Sequence, residues 1–466
     1  MTLVKNLLLL SAFVCLLFSC RKESFTSNAD VRLRTSVDSL HFDTVFTTTG
    51  SVSQFLKIIN GNEKGIRISS VRLAGGTGSP FKINVDGVTG PQVNDVEVLG
   101  DDSVYVYVTV SINPTAQNLP FIVQDSIEII YNGNKKWVQL DAFGQNAHFY
   151  RGRKVMGNEV WNNDLPHVIV GGLTVDTTAM LAINKGCKVY MHADAPFIVH
   201  GTLQVNGEKF DSTRVVFSGD RLDEPYRGFP ASYPGIIFTA SSKNNTINYG
   251  IIKNAYQAVV VVNPATSGTK LTLNETIIDN AYDAGLLGIN TSITARNVLI
   301  SNCGKNLFLV GGGTYDFKHT TVATFSNSYI QHKDPVCVVT NYINQTAASL
   351  TANFTNCIFW GEQNGFVNNE VFVDAKTITP SINFNKVVWR MQSIPSFSGL
   401  TITGAINQYP LFDSVNTAEN FYNFRLKSAS PAVNVGVNAG VGLDLDAAIR
   451  PRPVGSLPDL GAYERD

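Results

Sequence analysis

Three segments between residues 251 and 310 are near copies of one another, and this repeat constrains the fold more than any other feature of the chain. They read IIKNAYQAVVVV, IIDNAYDAGLLG and LISNCGKNLFLV, and each has an apolar pair, a polar residue, an Asn and a second apolar run. The shared residues Asn254, Asn280 and Asn302 are separated by 26 and then 22 residues. A repeat of this length is typical of a solenoid, in which each copy forms one turn of a continuous coil.

The repeat favours a right-handed parallel β-helix, in which one strand position recurs once per turn and stacked apolar side chains fill the interior. Asn tolerates the left-handed backbone conformation of a tight corner, and its amide can bond to the Asn of the next turn. We therefore expect Asn254, Asn280 and Asn302 to form an internal structural ladder. The 466 residues are rich in Asn, Thr, Val, Ile and Gly, and no stretch after residue 20 has helical periodicity, so the chain is predicted to be all-β.

The segment ahead of the repeat supports the same interpretation. It reads LTVDTTAMLAINKGCKVYMHADAPFIVHGTLQVNG and resembles the opening turns of many bacterial β-helix proteins of the pectate lyase-like class. The resemblance rests on apolar and small residues at fixed positions, namely Ile183, Gly186, Val189, Val199, Gly201, Thr202, Leu203, Val205 and Gly207. It implies a β-helix over residues 154–405.

Residues 32–146 carry a different pattern. About seven short runs alternate apolar and polar residues, among them SLHFDTVF and SVYVYVTV, and turns such as NGNEKG separate them. This spacing predicts an antiparallel sandwich of two sheets. The order of the runs resembles the immunoglobulin-like domains of the ASPM/SPD-2/Hydin group, on residues 40–45, 59–60 and 138–144. The resemblance implies an N-terminal immunoglobulin-like sandwich.

The first 20 residues, MTLVKNLLLLSAFVCLLFSC, have the layout of a signal peptide, with Lys5 ahead of an apolar stretch over residues 7–18. The closing residues LFSC resemble the lipobox of bacterial lipoproteins, which implies that a diacylated Cys20 begins the mature chain. The acyl chains would anchor the protein to a membrane, and the polar residues 21–31 would act as a tether. We therefore expect an outer-membrane lipoprotein of the cell envelope, with plain secretion as the alternative.

The C-terminal segment FRLKSASPAVNVGVNAGVGLDLDAAIRPRPVGSLPDLGAYERD resembles the choice-of-anchor Q module. The matching positions are residues 430–432 and 459–464 together with Asn434, Gly436, Asp444, Asp446 and Arg450. The resemblance implies that residues 406–466 form a module that caps the open edge of the β-helix. Ion pairs among Asp444, Asp446, Arg450 and Asp459 are expected to fix its Gly-rich coil, with binding of a cation as the alternative. As a whole, the chain resembles β-helix lipoproteins of Bacteroidota.

Enzyme activity is an alternative that the residues must be tested for, because pectate lyase-like β-helices include polysaccharide lyases and glycoside hydrolases. A lyase needs carboxylates for Ca²⁺ and a Lys or Arg base on one sheet, and a hydrolase needs a close carboxylate pair. Asp279 and Asp283 lie in one turn. The aligned positions of the neighbouring turns are occupied by Lys253, Gln257, Ser301 and Lys305, none of which has a carboxylate. No stacked carboxylates are predicted, and neither a metal nor another cofactor is expected.

A charged segment over residues 219–233, GDRLDEPYRGFPASY, interrupts the repeat like an inserted loop. Loops on rigid scaffolds often carry function. Its Arg and Tyr side chains suit carbohydrate binding through hydrogen bonds and stacking. The candidate ligand contacts are therefore Arg221, Tyr226, Arg227 and Tyr233. The alternative is a solvated loop whose charges pair with one another.

The remaining candidate groups favour packing over metal chemistry. His192 and His200 have no carboxylate partner at a suitable spacing. The four cysteines after residue 20 lack zinc-type spacing and are expected to be buried thiols: Cys187, Cys303, Cys337 and Cys357. A net charge of −1 with 16% charged residues gives no nucleic-acid footprint. The chain is thus predicted to be a lipid-anchored, non-catalytic protein that binds a glycan or surface polymer or acts as a scaffold, with a polysaccharide lyase or glycoside hydrolase as the alternative.

Overall fold

The computed structural model describes residues 23–47, 51–113, 121–265 and 268–465. Two compact units are present, with the boundary between Asn146 and Ala147. Across the described residues the regular elements are β-strands and two short 3-10 turns, at Gly76–Gly78 and Tyr226–Gly228, so the predicted all-β class is confirmed. No helix in these ranges is long and apolar enough to cross a membrane. The expected signal peptide and Cys20 lie outside the described residues.

The N-terminal unit consists of two five-stranded sheets around one apolar core. Its strands are β1 (Arg34–Thr35), β2 (Ser39–Phe46), β3 (Gln54–Asn60), β4 (Ile66–Leu73), β5 (Phe81–Val85), β6 (Val88–Gly90), β7 (Gln92–Val98), β8 (Asp102–Val110), β9 (Phe121–Tyr131) and β10 (Asn134–Gln145). One sheet has the order β1-β3-β8-β5-β6 and the other β2-β10-β9-β4-β7. Neighbouring strands are antiparallel except β2 and β10, which pair in parallel.

Alternation along each strand decides which side chains enter this core. In β8 the valines at 104, 106, 108 and 110 are buried, whereas Tyr105 and Tyr107 between them are exposed. Because successive side chains of a strand point to opposite faces, one face of β8 packs on the second sheet and the other faces solvent.

The second unit is built on a single 23-stranded sheet in which strands of successive turns pair in parallel. Its elements are β11 (His148–Val155), β12 (Asn158–Trp161), β13 (His167–Val175), β14 (Met180–Asn184), β15 (Lys188–Met191), β16 (Phe197–Val199), β17 (Thr202–Asn206), β18 (Val215–Gly219), β19 (Ile236–Phe238), β20 (Asn245–Asn248), β21 (Gly250–Lys253), β22 (Gln257–Val262), β23 (Leu271–Asn274), β24 (Ile277–Asp279), β25 (Ala284–Arg296), β26 (Leu299–Ser301), β27 (Lys305–Lys318), β28 (Thr321–Thr324), β29 (Cys337–Thr340), β30 (Tyr342–Ile343), β31 (Thr346–Ala347), β32 (Leu350–Gly361), β33 (Val371–Asp374), β34 (Ser381–Trp389), β35 (Leu400–Thr403), β36 (Phe412–Asn416) and β37 (Phe421–Leu426). Strands β30–β31 and β36–β37 form separate antiparallel pairs. The remaining strands form a coil that fits a parallel β-helix and begins at His148, ahead of the expected residue 154.

The interior of the coil is a set of apolar columns, one residue per turn. One column is in register through Val189, Phe217, Ile252, Ile278, Ile300, Val322, Phe359 and Trp389. All eight side chains are buried. The four cysteines after residue 20 are also buried and unpaired, as expected. Burial of this continuous apolar surface is the main term that stabilises such a coil.

The C-terminal segment after β35, which was predicted to cap the open edge of the coil, packs mainly along the side of several turns. An outward column of the coil is apolar at Ile277, Leu299, Ile358 and Val388, and these residues share a cluster with Phe412, Phe424, Leu445 and Leu460. This face needs an apolar cover, and the segment supplies it. Corner side chains complete the attachment, since Asn297 and Asn356 donate to the carbonyl oxygens of Leu443 and Val437 over 2.8 and 2.7 Å.

The charged side chains of this segment do form ion pairs, but with other partners, so the expected pairing of Arg450 with Asp444, Asp446 or Asp459 is wrong. Arg450 pairs with Glu464 at 3.0 Å, and both side chains are buried. Asp444 accepts from Arg452 at 3.2 Å. Asp459 accepts a hydrogen bond from the backbone N–H of Asn434 at 2.7 Å. Asp446 accepts two hydrogen bonds from the guanidinium of Arg425. The charged groups of the module therefore fix its irregular backbone.

Candidate functional site

A recess of about 780 Å³ lies on the outer face of the coil, between its strands and the loop 219–233. We call it the loop recess. The coil contributes Tyr190, Lys253 and Asp279, while the loop contributes Arg227 and Phe229. Two distant segments complete the wall with Asn327, Tyr329, Asn420 and Tyr422. Its volume is within the range of small-ligand sites in proteins, and its lining mixes aromatic rings, amides and charges.

The asparagines expected to form an internal ladder line this recess instead. All three have the left-handed backbone conformation, with φ of 66° at Asn254, 55° at Asn280 and 51° at Asn302. The Nδ2 of Asn280 donates to the Oδ1 of Asn254 at 2.8 Å, but Asn302 donates to Asp279 at 3.4 Å. The three-residue internal ladder is therefore wrong. The corner turns these side chains toward the recess, and those of Asn254 and Asn280 meet the loop.

Two of these amides, those of Asn254 and Asn280, hold the loop in place. The Nδ2 of Asn254 donates to the carbonyl oxygen of Arg227 at 2.8 Å, and that of Asn280 donates to the carbonyl oxygen of Gly228 at 2.9 Å. A surface loop whose backbone is bonded to the coil keeps a defined geometry. Its inner side thus acts as a fixed wall of the recess.

The four candidate contact residues of the loop have different environments. Arg221 donates two hydrogen bonds to Asp223, at 2.7 and 2.8 Å, and lies 4.0 Å from the centre of the Tyr226 ring. Arg227 pairs with Glu224 and lines the recess. Tyr233 is fully buried in the apolar core, so its prediction as a ligand contact is wrong. For Arg221, the alternative of a solvated loop whose charges pair with one another is the better description.

Asp279 lies on the floor of the recess between two turns. The register places Lys253 before it and Ser301 after it, as the sequence alignment predicted. The hydroxyl of Ser301 donates to its carboxylate at 2.6 Å. Burial nevertheless raises the pKa of Asp279 above its ordinary range, because desolvation outweighs these bonds and the charge of Lys253. The carboxyl group of Asp279, which lines the recess, therefore takes up a proton more readily than a solvated carboxyl group does.

A second recess of about 660 Å³ adjoins the first, and the two share Asn327 and Tyr329. Its lining includes Tyr282, Asp283 and Lys305. Asp283 accepts from Gln257 at 2.6 Å and from Lys305 at 2.9 Å. Burial alone would raise the pKa of Asp283, but these two donors lower it below its ordinary range. The pKa values of the two aspartates of this turn are thus shifted in opposite directions.

Aromatic rings line both recesses, and further rings lie against those of the lining. The ring centre of Phe229 lies 5.1 Å from that of Tyr226 and 4.7 Å from that of Tyr329. Tyr256 and Tyr282 lie 6.0 Å apart with their planes at 24°. Tyr226, Tyr256, Tyr282 and Tyr329 are each more than two-fifths exposed. Exposed rings beside amides and charged groups form an amphipathic surface suited to ligands with both apolar and hydroxyl-bearing faces.

The two histidines have partners that the sequence did not reveal. His192 lies 2.7 Å from a carboxylate oxygen of Asp220, so the expectation that it lacks such a partner is wrong. The two residues follow β15 and β18, whose last residues are in register, and alignment of these turns could have found the pair. His200 lies 2.8 Å from the hydroxyl of Thr239. Among the described residues no cluster of three or more His, Cys, Asp or Glu side chains could hold a metal ion.

Comparison with known proteins assigns no family. No protein-family model and no curated protein matches the chain. Three weak structural matches are a family 123 glycoside hydrolase from Clostridium perfringens, the E. coli chaperone DraB and a PapD-like domain of human CEP192. Their TM-scores are 0.19, 0.18 and 0.18 at 9%, 9% and 10% identity, and they cover 27%, 25% and 27% of this chain. The matches cover 26%, 55% and 92% of those chains, so this chain spans about a quarter of the hydrolase and half of the chaperone. Scores this low carry no functional argument.

Several residues of the site could not be found from the repeat. Asn327 and Tyr329 lie in the segment between β28 and β29, and Asn420 and Tyr422 come from the hairpin β36–β37. Neither segment follows the spacing of the turns. The only sequence signal was the interruption itself, which marks a place where the chain leaves the coil.

Proposed function

We propose that this protein binds a glycan polymer, without cleaving it, in the loop recess and the recess next to it. The carrying observation is the pair of rings at Phe229 and Tyr329, 4.7 Å apart, beside the amides of Asn254 and Asn280. A pyranose has an apolar C–H face that packs on an aromatic ring and hydroxyl groups that bond to amides and charges. Because Tyr329 lines both recesses, one chain of several sugars can extend through them.

The cellular setting forms part of the same proposal. Lipidation at Cys20 would anchor the chain in the outer membrane, residues 21–31 would act as a tether, and the N-terminal unit would be an immunoglobulin-like sandwich. The coil would be a right-handed, pectate lyase-like β-helix with a choice-of-anchor Q-like segment at its C-terminus. The resemblances of the sequence to Bacteroidota lipoproteins support this arrangement, as does the stacked parallel register of the coil.

The anchor is tested by Cys20→Ala in cells that express the full chain. We expect the variant to lose metabolic labelling with a fatty acid and to leave the membrane fraction. Cys303→Ala is the control, because that buried thiol should have no part in lipidation. Unchanged labelling of the Cys20 variant would contradict the lipoprotein assignment.

Binding is tested by applying the protein to a printed panel of plant, algal and bacterial polysaccharides. We expect retention on at least one polysaccharide and no release of reducing ends or unsaturated products from it. Retention on none would contradict the binding proposal. Release of new reducing ends would replace it with the enzyme alternative.

One observation favours a glycoside hydrolase or lyase as the second candidate. Asp279 is a recess carboxyl whose raised pKa suits proton donation. Its in-register neighbours, however, are Lys253 and Ser301, so the column offers no second carboxylate. If cleavage is found, Asp279→Asn should abolish it, whereas Asp283→Asn should retain it.

A further inference from the structure

We infer that the N-terminal unit carries a second, separate saccharide site, which takes a polysaccharide bearing carboxylates. The site is the outward face of the sheet β1-β3-β8-β5-β6 together with a recess at one edge of it. We call it the sheet-face site. It shares no residue with the two recesses of the coil, and its ligand class is argued from its own side chains.

Three aromatic rings cluster on this outward face. Phe55 of β3 is in register with Tyr107 of β8, and Tyr105 precedes Tyr107 on the same face. The ring centre of Phe55 lies 5.5 Å from that of Tyr105 and 6.0 Å from that of Tyr107. The two tyrosine rings are 5.8 Å apart and nearly parallel, at 13°. The three residues are 51%, 37% and 44% exposed, although the solvated face of a two-layer sheet usually carries polar residues.

A recess of about 690 Å³ continues from this cluster. Tyr107 lines it, and so do Lys82, Asn84 and Thr109 from neighbouring outward positions. Part of its wall is apolar, from Leu73 and inward-facing residues of β5. Its volume and its few polar groups among apolar surface are those of a site for an organic ligand. A chain that packs on the three rings can therefore place one sugar in the recess.

The charges of the face select the ligand. On the three inner strands of the sheet, the outward positions are 55, 57 and 59 on β3, 82 and 84 on β5, and 103, 105, 107 and 109 on β8. Their charged side chains are Lys57 and Lys82, and the Lys57 nitrogen lies 4.9 Å from the centre of the Tyr105 ring. Asp86 and Asp102 are at strand ends. Two lysines with no carboxylate between them are complementary to an anionic ligand.

Among anionic polymers the observations favour a hexuronate chain over a nucleic acid. Nucleic-acid binding draws its affinity from many phosphate contacts, and two lysines supply few of them. A hexuronate offers a carboxylate on each sugar for Lys57 and Lys82, a C–H face for the tyrosine rings, and hydroxyl groups for Asn84 and Thr109. All three kinds of contact are available on this one face.

The test is affinity electrophoresis of the full chain in gels that contain polygalacturonate, with neutral dextran gels as the reference. We expect polygalacturonate to retard the wild type and dextran to leave it unretarded. The double variant Tyr105→Ser/Tyr107→Ser should raise the dissociation constant derived from the retardation about tenfold or more. The variant Lys57→Gln/Lys82→Gln should do the same. Trp137→Ala, an equally exposed aromatic in β10 of the other sheet, is the matched control and should change nothing.

Several results would overturn the inference: no retardation by polygalacturonate, equal retardation by dextran, or no effect of the β8 variant. Tyr329→Ala separates this site from the coil recesses. Loss of retardation in Tyr329→Ala alone would overturn the sheet-face site and leave the proposed function standing. Loss only in the sheet variants would support the sheet-face site whatever the coil binds. Melting of each variant within about 2 °C of the wild type confirms folding, since exposed substitutions have small effects on stability.

Discussion

The side-chain amide of Asn280 donates to Asn254 one turn earlier, at 2.8 Å. The same nitrogen donates to the carbonyl oxygen of Gly228 in the loop, at 2.9 Å. One side chain thus joins two turns of the coil to the wall of the candidate site. The geometry of the recess therefore depends on Asn280. Its side chain reaches both partners because its backbone has the left-handed conformation, with φ of 55°.

We predict that Asn280→Leu destabilises the second unit. The change removes two hydrogen bonds, for about 1–3 kcal/mol, and forces a branched side chain into left-handed backbone, for about 1–2 kcal/mol more. Asn280→Gly is the matched control, because Gly accepts the backbone and loses only the amide. Urea unfolding should place the Gly variant between the wild type and the Leu variant. Equal midpoints for the wild type and Asn280→Leu would contradict the described contacts.

Arg450→Met should detach the C-terminal segment from the side of the coil. The change leaves the buried carboxylate of Glu464 without its partner at 3.0 Å, which costs about 3–5 kcal/mol. Arg425→Met is the control, since its pair with Asp446 is about half exposed and is worth roughly 0.2–1 kcal/mol. Limited proteolysis should cleave residues 406–465 faster in the first variant only. Equal cleavage rates in both variants would show that the buried pair does not hold the segment.

Asp279 and Asp283 should have opposite effects on the pH dependence of stability. The raised pKa of Asp279 means that its contribution is lost as pH rises from about 4 through the folded-state value, so Asp279→Asn should gain stability over the wild type as pH increases. The lowered pKa of Asp283 gives a contribution that is present above about pH 4 and lost as pH falls, so Asp283→Asn should be least stable, relative to the wild type, near neutrality.

Thermal melts of both aspartate variants and the wild type at several pH values between about 3 and 7 measure these two differences. The stability difference between each variant and the wild type should change with pH in opposite directions for the two variants. A change in the same direction would contradict the opposite environments of the two carboxyl groups.

The strands with clear alternation or repeat spacing were predictable, because one face or one column of each must be buried. The register of Lys253, Asp279 and Ser301 followed from alignment alone. Strand β7 could not be predicted from alternation, because Asn94 and the left-handed Asp95 interrupt its pattern of apolar and polar residues. The position of the C-terminal segment also escaped prediction, because the partners of its Arg450 and Glu464 network include His319 of the coil, far away in sequence.

The candidate site was predictable only in part. The loop 219–233 was identified by its charge and by the broken repeat, and Arg227 does line the recess. Tyr233 was misplaced because composition cannot separate an exposed loop tyrosine from one that re-enters the core. Tyr329 was missed because its proximity to Phe229, at 4.7 Å, arises from two insertions that the coil brings together.

The most direct test of the proposed function is isothermal titration of the full chain with the polysaccharide that it binds best on the printed panel. Tyr329→Ala removes the ring common to both recesses, and Phe210→Ala removes an exposed ring of the coil that lines neither. We predict that Tyr329→Ala raises the dissociation constant about tenfold or more, while Phe210→Ala leaves it unchanged. Equal affinity of the wild type and Tyr329→Ala would contradict binding in these recesses.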